Sequence, residues 1–153
     1  MIRTNKFAFL FIGLVAILTL SSAVQAQRGY SKAEVDRLIK NAENRSDEFV
    51  GTFDRSLDRS RLNNSEREDQ LNRRAQDLEK AFDDLRSRFD RTESYLDTRD
   101  EARKCLNIAT DINVAMRNNR LGTRTENAWV ILRNEMNTLA RVYNLPLVGS
   151  RAY

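Results

Sequence analysis

The side chains in this chain that could do chemistry are carboxylates, arginines and one thiol, because its 153 residues include no histidine. Histidine is the usual general base, the commonest zinc ligand and the proximal haem ligand of many proteins, so those sites are excluded. A ferritin-like di-iron bundle needs Glu-x-x-His pairs and c-type haem attachment needs Cys-x-x-Cys-His, and neither motif occurs. There is also no glycine-rich loop of the kind that holds phosphate. The residues therefore predict no metal ion and no cofactor.

The other groups that could be reactive fit structural roles better. Asp83 and Asp84 are adjacent, but neighbours on a helix do not face each other, so a solvated pair is favoured over an acid–base dyad. Trp129 and Tyr143 lie on the apolar stripe of the last predicted helix, where core packing is favoured over a ligand site. We therefore expect a protein that is not an enzyme.

The single cysteine, Cys105, has two interpretations. In an oxidising compartment a lone thiol cannot form an internal disulfide, so it would either bridge two copies of the chain or stay buried as a small apolar residue. Cys105 lies beside Leu106 on a helical stripe, and free cysteine is among the most buried residue types. Burial is the favoured interpretation, and an intermolecular disulfide is the alternative.

The first 26 residues have the features of an export signal. Arg3 and Lys6 form a positive segment, and the apolar run Phe7–Leu20 that follows is short for a membrane span. Small residues after this run place the cleavage site behind Ala26. We expect a signal peptide over residues 1–26 and a periplasmic or secreted mature protein, with an uncleaved N-terminal anchor as the alternative.

Cleavage would change the charge balance of the chain. It would remove two basic residues and no acid, leaving 24 Lys and Arg against 22 Asp and Glu, a net charge of +2. The signs alternate along the chain, which is typical of solvated helix faces and not of the one-signed stripe of a nucleic-acid or membrane-surface binder. The expected partner is another envelope protein or a second copy, with no nucleic acid and no stable membrane insertion after cleavage.

Four helices are predicted from capping boxes and apolar spacing. A capping box is a Ser or Thr followed three residues later by Glu, whose side chains satisfy N–H groups of the first turn. The hydroxyl residues of the four candidate boxes are Ser31, Ser65, Thr98 and Thr123. The apolar stripes behind them predict helices over about residues 32–60, 66–96, 99–119 and 124–144. Because no breaker separates the second from the third, one long bent helix is the alternative there.

An Arg-Leu pair precedes two of these boxes, as Arg61-Leu62 and as Arg120-Leu121. We interpret the four residues as turn and capping residues, in which each arginine donates to the carbonyls at the end of the preceding helix. An anion site at that end of the molecule is the alternative for the two arginines.

The two halves of the chain align on these turns as helical hairpins, over residues 31–91 and 98–144. Their apolar positions coincide, so we interpret the hairpins as an internal repeat that arose by duplication. A single hairpin cannot cover its own apolar stripe, whereas two together can close a core. The fold class predicted is an all-α four-helix bundle, built from two hairpins, forming one domain over residues 27–153.

The second half also carries a recognisable helix pattern. After Arg120-Leu121 the chain has a Trp-x-x-Leu-Arg-x-x-hydrophobic-x-x-Leu-Ala-x-x-Tyr helix between Trp129 and Tyr143. This resembles a group of small secreted bacterial helical proteins of uncharacterised function that carry a similar turn and helix. The resemblance implies a helical fold and an exported protein, and it implies nothing about chemistry.

These features predict an exported, non-enzymatic helical protein that serves as an interaction or structural module of the cell envelope. The alternative is a periplasmic holdase-type chaperone with an oligomeric helical cradle. It is favoured by the unbroken 4-3-4-3-4 apolar spacing of the second helix, which is the spacing of a coiled-coil seam. For the interaction module, an exposed apolar patch would indicate where it binds its partner.

Overall fold

The computed structural model describes residues 29–150, which form four α-helices and one short 3₁₀ helix. The elements are α1 (Lys32–Leu57), α2 (Glu66–Asp90), the 3₁₀ helix (Tyr95–Thr98), α3 (Arg99–Asn118) and α4 (Thr123–Val142). Within these residues there is no strand, and the all-α four-helix bundle is confirmed. The predicted signal peptide lies outside the described residues.

The structure shows that α2 and α3 are separate helices. A turn follows Asp90, and the Ser94 hydroxyl accepts a hydrogen bond from the Leu96 N–H at 3.3 Å, which starts the 3₁₀ helix. The single long bent helix is therefore wrong. A polar side chain that bonds the backbone interrupts the helix here, in a segment without glycine or proline.

Two helices begin with serine caps. The Ser31 hydroxyl accepts from the Glu34 N–H at 3.2 Å, and the Glu34 carboxylate accepts from the Ser31 N–H at 2.8 Å, which completes a capping box. At α2 the Ser65 hydroxyl accepts from the Glu68 N–H at 3.2 Å, while the Glu68 carboxylate reaches the Asn64 N–H at 2.6 Å. Both serines therefore cap their helices, but only Ser31 forms the full predicted box, because Glu68 bonds to Asn64 and not to Ser65.

The capping boxes predicted at Thr98 and Thr123 are wrong, although both helices begin within one residue of the expected position. Thr98 ends the 3₁₀ helix, and its hydroxyl donates to the Tyr95 carbonyl at 2.7 Å and meets the Tyr143 hydroxyl at 2.8 Å. At α4 the N-cap position belongs to Gly122, whose φ of 88° suits glycine. Thr123 is consequently the first helical residue, and no side chain caps α4.

The helices run up and down in sequence, with α1 packed between α2 and α4 and with α3 against α2. An ion pair of 2.6 Å between Arg86 and Asp36 joins the end of α2 to the start of α1. The rings of Phe49 and Trp129, 5.1 Å apart, join α1 to α4. Both hairpin turns, residues 58–65 and 119–122, therefore lie at the same end of the bundle, which we call the loop end.

The apolar stripes of the helices meet in one core. The stripe of α2, which has the coiled-coil spacing, is at most 5% exposed at every position: Leu71, Ala75, Leu78, Phe82, Leu85 and Phe89. Because α1 and α3 cover it, this seam is used inside its own bundle. None of the described helices is long and apolar enough to span a membrane.

The chain after α4 folds back over the bundle. Leu145 and Val148 are buried, and the Val148 N–H donates to the side-chain oxygen of Asn137 at 2.8 Å. Leu147 packs partly against the core. Of the helices that pack against each other, α3 and α4 make the smallest contact. The segment after α4 lies against α3 next to this contact.

Candidate anion-binding groove at the loop end

The two Arg-Leu turns lie side by side at the loop end. Arg61 and Leu62 of the first turn and Arg120 and Leu121 of the second line one surface cavity of about 490 Å³. They meet because both helical hairpins turn at this end of the bundle. The structure thus brings together the four turn residues that stand out in the sequence.

A second cavity, of about 610 Å³, adjoins the first and shares Ser60, Arg120 and Leu121 with it. It lies between the end of α1 and the start of α4. We call the two cavities together the arginine groove. Five arginines line it: Arg55, Arg59, Arg61, Arg120 and Arg124. No carboxylate lines either cavity, so the groove carries charge of one sign.

These five arginines make no ion pair with any residue of 29–150, whereas ten ion pairs occur elsewhere in that part of the chain. A third cavity, between α2 and α3 away from the loop end, provides a contrast. Its charged lining is balanced, with three acids and three bases: Asp84, Asp100, Glu101, Arg88, Arg91 and Lys104. A groove lined by one sign of charge concentrates counter-ions, so the arginine groove should attract anions and the third cavity should not.

Hydrogen bonds at the floor of the groove hold its two sides together. The Thr125 hydroxyl, 1% exposed at the start of α4, donates to the Thr52 carbonyl of α1 at 3.2 Å. The Thr125 hydroxyl proton is used in this bond. The Thr125 oxygen therefore accepts from the Ser56 hydroxyl, at 2.5 Å. On the α1 side the Arg55 guanidinium lies over Gly51, 3.7 Å from where a Cβ of that residue would stand. The floor is therefore built from satisfied polar groups.

The first turn of α4 opens into the same groove, since Gly122, Thr123, Arg124 and Thr125 all line it. With glycine as the N-cap, no side chain accepts from the N–H groups of this turn. The start of a helix carries partial positive charge on such N–H groups. The free N–H groups of this turn add to the positive electrostatic potential of the arginines.

The predicted capping role of Arg61 and Arg120 has no counterpart among the hydrogen bonds of residues 29–150. Instead the Asn119 side-chain amide donates to the Ala115 carbonyl at 2.8 Å, and a backbone bond of 2.9 Å to Leu57 closes the end of α1. Other groups thus serve these helix ends, and both guanidiniums remain available to a ligand.

The other sequence candidates lie in structural positions. A hydrogen bond from Lys104 lowers the pKa of Asp84 against the opposing effect of burial, and this carboxyl forms surface ion pairs with Lys104 and Lys80. Trp129 lies in the core and donates from Nε1 to the Asn113 side-chain oxygen at 3.2 Å. Burial raises the pKa of the Tyr143 hydroxyl, which meets Thr98. None of the three lines the groove.

The cysteine is buried, as predicted. Cys105 is 2% exposed on α3, and burial raises the pKa of its thiol to about 12. The thiolate is the reactive form of cysteine. This thiol is therefore protonated and inaccessible in the folded protein, which disfavours the intermolecular disulfide.

Three of the groove arginines are not predicted as site residues from the sequence: Arg55, Arg59 and Arg124. The signal that could have indicated them is spacing, because Arg55 and Arg59 are four residues apart, as are Arg120 and Arg124. In the structure each pair spans a helix end, because Arg59 lies just after α1 and Arg120 just before α4. Two arginine pairs beside one turn and one helix start indicate a concentration of positive charge, which an anion would offset.

Comparisons of the chain with protein-family models, with curated proteins and with solved structures return no match.

Proposed function

We propose that the chain is an exported, non-enzymatic helical module that docks an anionic partner of the cell envelope through the arginine groove. One observation carries this proposal: five arginines line the groove, and no carboxylate lines it or pairs with them within residues 29–150. The third cavity, by contrast, is lined by acids and bases in equal number. Complementary charge gives association its rate and specificity, so the partner presents acidic groups to this face.

The lining of the groove supports binding without catalysis. Its side chains offer guanidinium, hydroxyl and amide donors, but no carboxylate that could act as a general base. A serine or threonine hydroxyl needs an adjacent base to become a nucleophile. The bound partner is therefore held and released unchanged.

The interaction module is preferred to the oligomeric chaperone because the apolar seam that favoured the chaperone is buried, while the candidate docking face is the charged groove and not the apolar patch expected of such a module. A cradle for unfolded clients needs a contiguous apolar surface. The described residues include five large exposed apolar side chains: Tyr30, Leu96, Val114, Val130 and Ile131. The α2 seam that favoured the chaperone is occupied by α1 and α3.

The export part of the proposal rests on the N-terminal sequence, with cleavage after Ala26. Cell fractionation and the intact mass of the purified protein test it together. A periplasmic or secreted protein whose mass corresponds to a chain beginning at Gln27 supports export. A cytoplasmic protein that retains residues 1–26 refutes it.

Binding to soluble polyanions tests the docking face. The probes are fluorescent poly-L-glutamate and polyphosphate, with affinity measured by anisotropy at two salt concentrations. The double variant Arg61→Gln/Arg120→Gln removes the two turn arginines, while Arg88→Gln/Arg91→Gln removes the same charge from the balanced cavity as a matched control.

We expect the first variant to weaken binding about 5- to 30-fold, from about 0.5–1 kcal/mol for each exposed charge contact. The control variant should bind like the parent protein, and added salt should weaken binding throughout. Equal losses in the two variants would show that net charge alone attracts the probe, and the groove would then not be the docking face.

A further inference from the structure

The arginine groove is most strongly charged at the start of α4. Here Arg120 precedes the uncapped first turn and Arg124 lies in it, while Arg55 of α1 and Arg59, just beyond α1, line the same cavity. Thr123 lines the same cavity. Residues from α1, from the loop before α4 and from the uncapped first turn of α4 therefore line one cavity.

This arrangement distinguishes between two kinds of anionic group. A carboxylate has two oxygens and is satisfied by one bidentate arginine. A phosphate monoester has three terminal oxygens and close to two negative charges at neutral pH, so it needs several donors from different directions. Helix starts and arginine forks are the donors that phosphate groups use most readily in proteins.

We propose that the α4 end of the arginine groove binds a phosphate-type oxyanion, as free phosphate or as the head group of a lipid. This inference rests on the proposed function, since it names the chemical class of the anionic group that the docking face receives. Arg120 and Arg124 supply guanidinium forks beside the open N–H groups of residues 123–125. Arg55 of α1 and Arg59, just beyond the end of α1, complete the site.

Titration of the ¹⁵N-labelled protein with inorganic phosphate at constant ionic strength tests the site directly. We expect saturable shifts of the backbone amide signals of Thr123, Arg124 and Thr125. The variant Arg120→Gln/Arg124→Gln should weaken phosphate binding by about tenfold or more, because hydrogen bonds to charged groups contribute strongly. The matched variant Arg88→Gln/Arg91→Gln should leave both the shifts and the affinity unchanged.

The folding of both variants is checked by circular dichroism and thermal unfolding. All four substituted arginines are partly or fully exposed, so neither variant should lose the bundle. If the first variant nonetheless unfolds, the amide shifts of the parent protein still decide the question, because they locate the phosphate without any substitution.

Vesicles distinguish the two sources of the phosphate group. Cosedimentation with phosphatidylcholine vesicles containing phosphatidic acid, lost in Arg120→Gln/Arg124→Gln and absent with phosphatidylcholine alone, assigns a lipid head group. Phosphate binding without vesicle binding assigns a soluble phosphate compound. Either result supports the phosphate site.

Two results overturn the inference, and they differ in what they mean for the proposed function. If poly-L-glutamate binds the groove but phosphate shifts none of the amides of residues 123–125, the site takes carboxylates, and only the phosphate inference fails. If neither probe binds, the docking face itself is wrong, and both proposals fail.

Discussion

The substitution Thr125→Val tests whether the groove floor joins α1 to α4. Valine keeps the shape of threonine but cannot make the two hydrogen bonds of this hydroxyl, to Thr52 at 3.2 Å and to Ser56 at 2.5 Å. The position is 1% exposed, so water cannot replace these bonds without a structural change. Any loss of stability should therefore come from the missing hydroxyl and not from a cavity.

The expected loss of stability depends on which hydrogen bonds the two partners of Thr125 keep. The Thr52 carbonyl still accepts from a helical N–H group, so losing the Thr125 hydroxyl costs it little. The Ser56 hydroxyl is half-buried and loses its acceptor. A buried group left without its partner costs about 1–3 kcal/mol, and this partial case should cost about 1–2 kcal/mol. For a domain of this size that corresponds to a fall in Tm of about 3–8 °C.

Thermal and urea unfolding of the variant, followed by circular dichroism, measures the effect. The control is Thr110→Val on α3, where an exposed hydroxyl bonds only to the Leu106 carbonyl of its own helix at 2.9 Å. The control should change stability by less than about 0.5 kcal/mol. If Thr125→Val is as stable as the parent protein, or if the control loses as much, the floor hydroxyl does not hold the two helices together.

Three further substitutions and reactions test other parts of the structure. Cys105 should not react with a disulfide reagent such as DTNB in the folded protein and should react at once in urea. Light scattering should give the same mass with and without reductant. Fast reaction of the native protein would contradict the buried thiol. Met136→Ala should destabilise the bundle by about 2–5 kcal/mol, because Met136 is fully buried and the change leaves a cavity; a smaller loss in urea unfolding would mean that the core collapses around the site. Burial, with the nearby carboxylates of Asp83 and Asp47, raises the pKa of Glu43 against a smaller opposing effect of Arg86. The destabilisation from Glu43 is then absent below the ordinary pKa of a glutamate and complete above the raised pKa, so Glu43→Gln should raise Tm at pH 7 and leave it unchanged at pH 3. An equal gain at both pH values would assign the effect to something other than ionisation.

Helix number and fold class follow from local patterns in the sequence. Ser31 and Ser65 each precede a glutamate at the capping distance and a run of apolar residues at helical spacing, and these local features suffice to predict both helix starts. The inward stripe of α1 is less well predicted. The helical spacing of Val35, Leu38 and Ala42 predicts that Leu38 faces the core, but Leu38 is half-buried and its neighbour Ile39 is fully buried. Adjacent apolar residues leave the rotation of a helix undetermined by about one residue, and packing against α2 and α4 decides it.

The two capping errors have a tertiary cause and a local one. Thr98 pairs with Tyr143, which is 45 residues away in sequence, so spacing cannot reveal that its hydroxyl is already used. Gly122 takes the N-cap position through a positive φ, and a rule that searches for hydroxyl residues passes over it. In both cases the helix start is predicted but its capping is not.

The candidate site is predictable only in part. The Arg-Leu turns stand out because they recur, and an anion site at that end is one of the interpretations of Arg61 and Arg120. Arg55 and Arg59 join them only because α1 and α4 lie antiparallel and place their loop-end residues together. The absence of carboxylates from the lining is also a tertiary property, since Asp54 and Asp58 adjoin these arginines in sequence.

The most direct test of the docking face is a map of polyanion binding over the whole protein. Amide signals of the ¹⁵N-labelled protein are followed while polyphosphate is added, and in a second titration poly-L-glutamate. We expect the shifts to cluster in residues 55–61 and 119–125 and to leave the 3₁₀ helix and the segment after α4 unchanged. Shifts spread evenly over the charged faces of all four helices would contradict the proposal, because the partner would then be attracted by the bundle in general and not by the arginine groove.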